Sequence, residues 1–267
     1  MQTDDKLSAH LCLSFDLYKR LQLSMTIGQK RQYIVKDLAL FCADMEFSRT
    51  SSYGKNLKVV HHMDSFLPQY QGIVKFVLDK YKEYQSFYVH GSGIADKRYL
   101  PLSPSALDQL FQLYGEIEQP LSLRLEKAAQ EKEYIPVTGD PSLEISVRWS
   151  PSGFTFSTDS YRIFHGEEHC YLLIHNTIHC CTESFTQRAG EFLDTLARAD
   201  GYLYIAHKEM PSFCGIVLPA VRDILNFTGD LEKMETFFPD PLEVEFFLDA
   251  PSRSRITAKV VYRYGQE

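Results

Sequence analysis

Histidine and cysteine are concentrated between residues 165 and 181, and these side chains are common ligands of zinc. The segment holds His165, His169, Cys170, His175, His179, Cys180 and Cys181. On a helix, His175 and His179 would share one face and could bind the same ion. Residues 171–174 instead predict a strand, on which positions four apart are separated by roughly 13 Å. We therefore predict strand packing and no metal site, and a zinc-dependent or hydrolytic enzyme is the weakest alternative.

A partial phosphate-binding loop is present as well. In such a loop, backbone N–H groups bind the phosphates and the lysine is followed by Ser or Thr. Gly54 and Lys55 fit the end of that pattern, but Asn56 replaces the hydroxyl residue and Arg49 replaces the first glycine. The segment Gly91-Ser-Gly93 lacks the third glycine of a dinucleotide-binding turn. We predict no bound cofactor, no catalytic residues and no ATP hydrolysis by this chain alone.

Charge is distributed unevenly near the C-terminus. Residues 229–249 hold seven acidic residues and one lysine, whereas residues 251–267 hold four basic residues and Glu267. The four are Arg253, Arg255, Lys259 and Arg263. They are candidate contacts for nucleic-acid phosphates. The alternative interpretation is that they lie at solvent-exposed strand ends and turns and bind nothing. The acidic segment could also pair with this basic tail within the chain.

The overall composition limits these possibilities. The chain has 267 residues, of which 44 % are hydrophobic, and its net charge of −7 opposes binding of DNA by the whole surface. No stretch approaches the roughly 20 apolar residues of a membrane helix, and the N-terminus does not resemble a signal peptide. The six cysteines are too dispersed for a disulfide framework. We predict a cytoplasmic protein with no membrane partner.

Apolar residues recur with the periods of both strands and helices. Alternation predicts strands over 11–17, 21–27, 121–125, 143–149, 153–156, 161–164, 170–174, 244–248 and 256–264, and a hairpin over 21–35. Helical spacing predicts helices over 66–84, 103–115 and 183–199. Ser103 suits the cap of the second helix, Pro104 its first position and Gly115 its exit. A further helix begins near Pro211, and Pro219 should kink or split it.

These elements predict an α+β fold, with antiparallel hairpins and sheets on which helices pack. Residues 1–10 are polar and are expected to be frayed. A charged run and a turn cluster near 130–140 mark a boundary between two subdomains of similar size. We predict a first α+β subdomain over 11–135 and a second, β-rich subdomain over 136–267.

Short motifs in a fixed order carry a family resemblance. They are Ile27-Gly28, Tyr33-Ile-Val-Lys-Asp37, Tyr53-Gly54-Lys55, Phe66, Phe213, Val217-Leu-Pro219, Pro241, Phe246-Phe-Leu-Asp249, Ile256-Thr-Ala-Lys-Val260 and Tyr264-Gly265. Together they resemble the bacterial Swi/Snf helicase-associated domain over residues 11–265. One departure is Phe247, which stands where the family pattern has tyrosine.

The resemblance implies an accessory domain that lies N-terminal to a Swi/Snf-type ATPase motor in one bacterial polypeptide. Such a motor couples ATP hydrolysis to movement on double-stranded DNA. The family offers no catalytic residues to transfer to this chain. The resemblance implies that its partners are the motor in cis and, weakly or indirectly, DNA. We expect this chain to be an excised domain or the remnant of one. The alternative is a free-standing protein-interaction module unrelated to DNA.

Overall fold

A computed structural model describes the chain except for residues 1–5, 17, 88–96, 118, 126–129, 239–241, 253–254 and 265–267. For residues 87, 242–243, 249–252, 255–256 and 262–264 it describes the backbone alone. The Gly91-Ser-Gly93 segment therefore lies outside the described residues. Helices and strands in mixed and antiparallel sheets confirm the predicted α+β class.

The strands, in chain order, are β1 (Ser8–Phe15), β2 (Leu21–Gly28), β3 (Gln32–Ile34), β4 (Thr50–Tyr53), β5 (Leu57–Val60), β6 (Leu100–Pro101), β7 (Leu121–Arg124), β8 (Lys132–Thr138), β9 (Glu144–Ser150), β10 (Gly153–Ser157), β11 (Tyr161–His165), β12 (Cys170–Ile174), β13 (Thr177–Cys180), β14 (Tyr202–Ala206), β15 (Asn226–Gly229), β16 (Leu242–Ser252) and β17 (Arg255–Tyr264). The α-helices are α1 (Leu38–Glu46), α2 (Pro68–Phe87), α3 (Pro104–Ile117), α4 (Glu183–Arg198), α5 (Met210–Ser212) and α6 (Leu218–Val221). No helix among the described residues is long and apolar enough to cross a membrane.

The chain divides into two compact units, and neither is continuous in sequence. The first comprises Met1–Pro141 with Ser160–Gly190, and the second comprises Ser142–Asp159 with Glu191–Glu267. These packing units follow the sheets. The predicted boundary between subdomains 11–135 and 136–267 is not tested by this division, and it stays a prediction.

The first unit is built on a nine-stranded mixed sheet. Its order is β11-β12-β13-β8-β7-β1-β2-β3, and β6 also pairs with β2. Strand β1 begins at Ser8, so residues 8–10, which were expected to be frayed, pair with β2. Strand β8 passes through the segment where the sequence predicts a boundary, and it joins β7 to β13. The predicted hairpin over 21–35 is confirmed by the pairing of β2 with β3.

Helices α2 and α3 pack on this sheet and bury its apolar side chains. Helix α3 begins as predicted, because the Ser103 hydroxyl accepts the N–H of Ala106 at 3.1 Å. The predicted exit at Gly115 is wrong. Gly115 keeps a helical backbone and the helix continues to Ile117.

The second unit has a four-stranded sheet in the order β14-β10-β9-β15 and a separate hairpin, β16–β17. Its core is aromatic: the rings of Phe156 and Phe213 are 4.7 Å apart, and Phe192 of α4 packs against both. The helix predicted near Pro211 is interrupted, as expected. A π-helical turn over Phe213–Val217 separates α5 from α6, which contains Pro219.

Candidate interaction surface

The basic residues singled out by the sequence fall on or beside the β16–β17 hairpin. Lys259 is exposed in the middle of β17. Arg255 and Arg263 lie near the two ends of the same strand, by their backbone positions. Arg253 lies outside the described residues. The strand therefore brings three of the four positions into one line, and their contact with DNA stays a prediction.

The acidic strand β16 pairs with the basic strand β17 in antiparallel register. Glu243 stands opposite Arg263, and Lys259 stands opposite Phe247. The positions flanking Phe247 on the same strand face are Glu245 and Asp249. The sequence analysis left open whether the acidic segment pairs with the basic tail. Within this hairpin the backbones of the two segments do pair, and the nearby acidic residues weaken the positive field of the basic ones.

The opposite face of the hairpin is apolar. Residues that alternate along a strand, and residues directly opposite across an antiparallel pair, lie on one face of the sheet. Phe246 stands opposite Val260, and Leu248 stands opposite Ala258. Phe246 is 71 % exposed and Leu248 74 %, and Val260 and Ala258 are exposed as well. Val244, two residues before Phe246, extends the same face.

The described side chains of this apolar face are exposed. The two strands form a sheet of their own, and two-stranded hairpins are only marginally stable in water without further packing. Contiguous exposed apolar residues of this kind mark binding surfaces in soluble proteins. The sequence predicted both strands, but their alternation did not reveal that one face would be left open.

The histidine-rich segment 165–181 forms the strands β11, β12 and β13, as predicted. His175 and Asn176 form the turn, with φ of 54° at His175, and His179 stands opposite Leu172. No group of three or more His, Cys, Asp or Glu that could hold a metal occurs in the described part of the chain.

A cleft of about 730 Å³ in the first unit lies between α3 and the turn that joins β11 to β12. Asp108 of α3 holds this turn. Its Oδ2 accepts the N–H groups of Glu167 and Glu168 at 2.8 and 2.9 Å, and its Oδ1 accepts the Tyr171 hydroxyl at 2.6 Å. Burial and the neighbouring carboxylate raise the pKa of Tyr171, so its hydroxyl remains a donor at neutral pH. No pattern in the sequence indicates this contact between distant elements.

The described structure is that of an α+β protein whose candidate site is a surface for binding. A family model described as bacterial SNF2 helicase associated matches residues 98–267. The chain belongs to this family, which associates it with SNF2 helicase-like proteins, and the match includes the whole β16–β17 hairpin. For residues 11–97 the resemblance stays a prediction. No curated protein and no solved structure matches the chain.

Proposed function

We propose that the chain is a non-catalytic accessory domain of a bacterial Swi/Snf-family DNA-dependent ATPase, and that the apolar face of the β16–β17 hairpin docks it onto the motor. The observation that carries this proposal is the exposure of Phe246 and Leu248 on one face of a hairpin that forms a two-stranded sheet of its own. The position of the hairpin within the family-matched residues supports it. The chain alone neither binds nor hydrolyses ATP, and the motor supplies that activity in cis.

The size of the docking effect follows from the exposed side chains. Complete burial of a Phe or Leu side chain stabilises a complex by about 1.5–3 kcal/mol. Because Phe246 and Leu248 are already partly covered, the two together contribute about 2–4 kcal/mol when a partner covers them. Their loss therefore weakens the complex roughly 30- to 1000-fold.

The test is the affinity of the chain for a purified Swi/Snf-type ATPase motor from the same bacterium. In the variant, Phe246→Ser and Leu248→Ser are combined. The matched control is Phe247→Ser, which removes a 53 % exposed aromatic from the opposite face of the same strand. We expect the double variant to lose affinity by the stated factor and the control to change it less than about threefold.

Equal loss in both variants, or none in either, would contradict docking through the apolar face. A free-standing interaction module would show a different pattern: no affinity for the motor in the wild-type chain, with ATPase activity of the motor unchanged by its addition.

Direct DNA contact is expected to be weak. At most about four phosphates can be neutralised by the basic tail, so the salt slope on duplex DNA should be no steeper than about −3.6. Replacing Arg253 and Arg255 by alanine should weaken binding further and flatten the slope. Fluorescence anisotropy over a salt series measures both. Tight binding that ignores salt would indicate a dedicated DNA reader instead.

A further inference from the structure

Strand β14 is an edge of the four-stranded sheet in the second unit, where it pairs with β10 alone. Proteins usually protect such an edge with a charged residue, a proline or a bulge. The sequence of β14, Tyr-Leu-Tyr-Ile-Ala, contains no charge and no proline, and its register with β10 is regular. Its aromatic and β-branched residues also favour extended backbone. The strand therefore offers a template on which another strand can pair.

The open backbone groups of this edge are centred on Tyr204. The ladder to β10 continues past the strand through a bond from the N–H of His207 to the carbonyl of Ser152 at 3.2 Å. The odd-numbered residues of β14 therefore point their backbone groups at β10, and the even-numbered residues point theirs at the open edge. Among the described residues, the N–H and carbonyl of Tyr204 have no hydrogen-bond partner. The outward N–H of Ala206 donates to Glu209 Oε2 at 3.4 Å, which keeps that carboxylate at the end of its own strand.

The side chains of β14 leave the edge accessible. Tyr202 is 69 % exposed and Tyr204 is 50 % exposed. The Tyr204 side chain leans over β10, away from the edge, since a Cβ built at Gly153 would meet its hydroxyl oxygen at 2.8 Å. On the other face of the strand, Leu203 and Ile205 are only half-buried. A neighbouring strand would therefore cover apolar surface as well as pair with the backbone.

We propose that β14 pairs in antiparallel register with β14 of a second copy of this chain, so that two four-stranded sheets join into one sheet of eight strands. A two-fold axis at Tyr204 generates this pairing. Tyr204 then lies opposite Tyr204 of the second copy, and the two residues exchange both of their outward hydrogen bonds. Leu203 of each copy lies opposite Ile205 of the other. Because both copies contribute the same surface, the assembly closes as a dimer.

The charges that flank β14 are complementary in this arrangement. Asp200 lies two residues before the strand and Lys208 lies two residues after it, and both are exposed. Neither forms an ion pair within the described part of the chain. Antiparallel pairing about Tyr204 brings Asp200 of each copy beside Lys208 of the other, whereas parallel pairing would bring like charges together. The flanking charges therefore favour a second copy in the antiparallel orientation.

The test is the self-association of the purified chain, measured by sedimentation velocity. Because the paired surface is small, we expect a weak dimer with a dissociation constant on the order of 10–100 µM. Tyr204→Pro removes the outward N–H and no hydrogen bond to β10, and it should abolish the dimer. The matched control is Tyr204→Ser, which loses the same ring but keeps the N–H. It should change the dissociation constant less than about threefold.

Charge reversal gives a second test that does not depend on a proline variant folding. Asp200→Lys sets two pairs of lysines against each other in the dimer, and Lys208→Asp sets two pairs of aspartates. Each variant should weaken the dimer about tenfold or more. An equimolar mixture of the two variants restores both opposite-charge pairs, so it should dimerise as the wild-type chain does.

The proposal is overturned if the wild-type chain stays monomeric at concentrations well above the expected dissociation constant, or if the mixture of charge variants associates no better than each variant alone. A dimer that is lost when Phe246→Ser and Leu248→Ser are combined, but kept in Tyr204→Pro, would assign the contact to the β16–β17 hairpin and overturn it as well. Docking to the motor is measured with another partner and other variants, so each of the two proposals can fail alone.

Discussion

Replacing Asp108 by alanine should destabilise the first unit more than any other single change on the exposed side of α3. The carboxylate accepts three hydrogen bonds, two from backbone N–H groups of the turn after β11 and one from the Tyr171 hydroxyl. The turn also approaches the carboxylate closely, since a Cβ built at Gly166 would meet Asp108 Oδ1 at 1.7 Å. Alanine leaves all three donors without their partner.

The expected cost differs among the three bonds. Removing a hydrogen bond to a charged group costs about 1.5–3 kcal/mol when the remaining partner stays buried. The N–H groups of Glu167 and Glu168 are exposed enough for water to replace the carboxylate, so each costs about 0.5–1 kcal/mol. Tyr171 is 2 % exposed, and its hydroxyl costs about 1.5–2 kcal/mol. The sum is about 2.5–4 kcal/mol, or a fall in Tm of roughly 5–15 °C for a chain of this size.

Urea unfolding followed by circular dichroism measures this change. Tyr171→Phe is the matched partial variant, because it removes one bond and keeps the stacking of the ring on Phe111 at 4.0 Å. It should cost about 1.5–2 kcal/mol, and the double variant should cost clearly less than the sum of the two single changes. Gln109→Ala, an exposed change on the same helix, should stay within about 0.5 kcal/mol of the wild-type value. A cost below about 0.5 kcal/mol for Asp108→Ala, or additive behaviour with Tyr171→Phe, would refute the reasoning.

Three further changes test other parts of the fold. Ser103→Ala removes the cap of α3 and should cost about 1 kcal/mol in thermal unfolding. Gly229→Ala should cost about 2 kcal/mol or more in urea unfolding followed by Trp149 fluorescence, because φ is +95° and the new Cβ would lie 2.2 Å from the Val147 carbonyl oxygen. The hydrogen bond from the N–H of Trp149 holds the pKa of Asp230 below its usual range. This carboxylate therefore stabilises the fold above about pH 4, and the stabilisation is lost as the pH falls through the lowered pKa. Asp230→Asn should therefore be less stable than wild type at neutral pH, with the two unfolding midpoints converging in acid; a constant difference at all pH values would contradict this assignment.

The sequence predicted elements that depend on local residues and missed those that depend on distant partners. Helix α3 has its cap, its first proline and its apolar stripe within one short segment, so its start could be predicted. Strand β8 begins in a charged run and owes its conformation to β7 and β13 on either side. Helix α1 was missed although Asp37 caps it, with the Leu40 N–H at 3.0 Å from the carboxylate, because it is only nine residues long.

The candidate site divides in the same way. The basic positions on β17 and the alternation along β16 could be seen in the sequence, since both are local patterns. The exposure of Phe246 and Leu248 could not, because an alternating apolar strand looks the same whether its face is covered or open. The contact between Asp108 and Glu167 joins residues 59 positions apart, and a single sequence holds no signal for such a distance.

The parallel pairing of β1 with β7 has a consequence for synthesis on the ribosome. Cys12 of β1 stands opposite Ser122 of β7, so β1 must wait for about 110 further residues before its parallel neighbour exists. At about 5–20 residues per second, the interval is on the order of 10 s. During that time β1 is paired only with β2, and its other edge is a template for strands of any nascent chain nearby. Slower elongation across residues 16–121 would lengthen the interval, and chaperones that shield unpaired strand edges would act on this protein before β7 is complete.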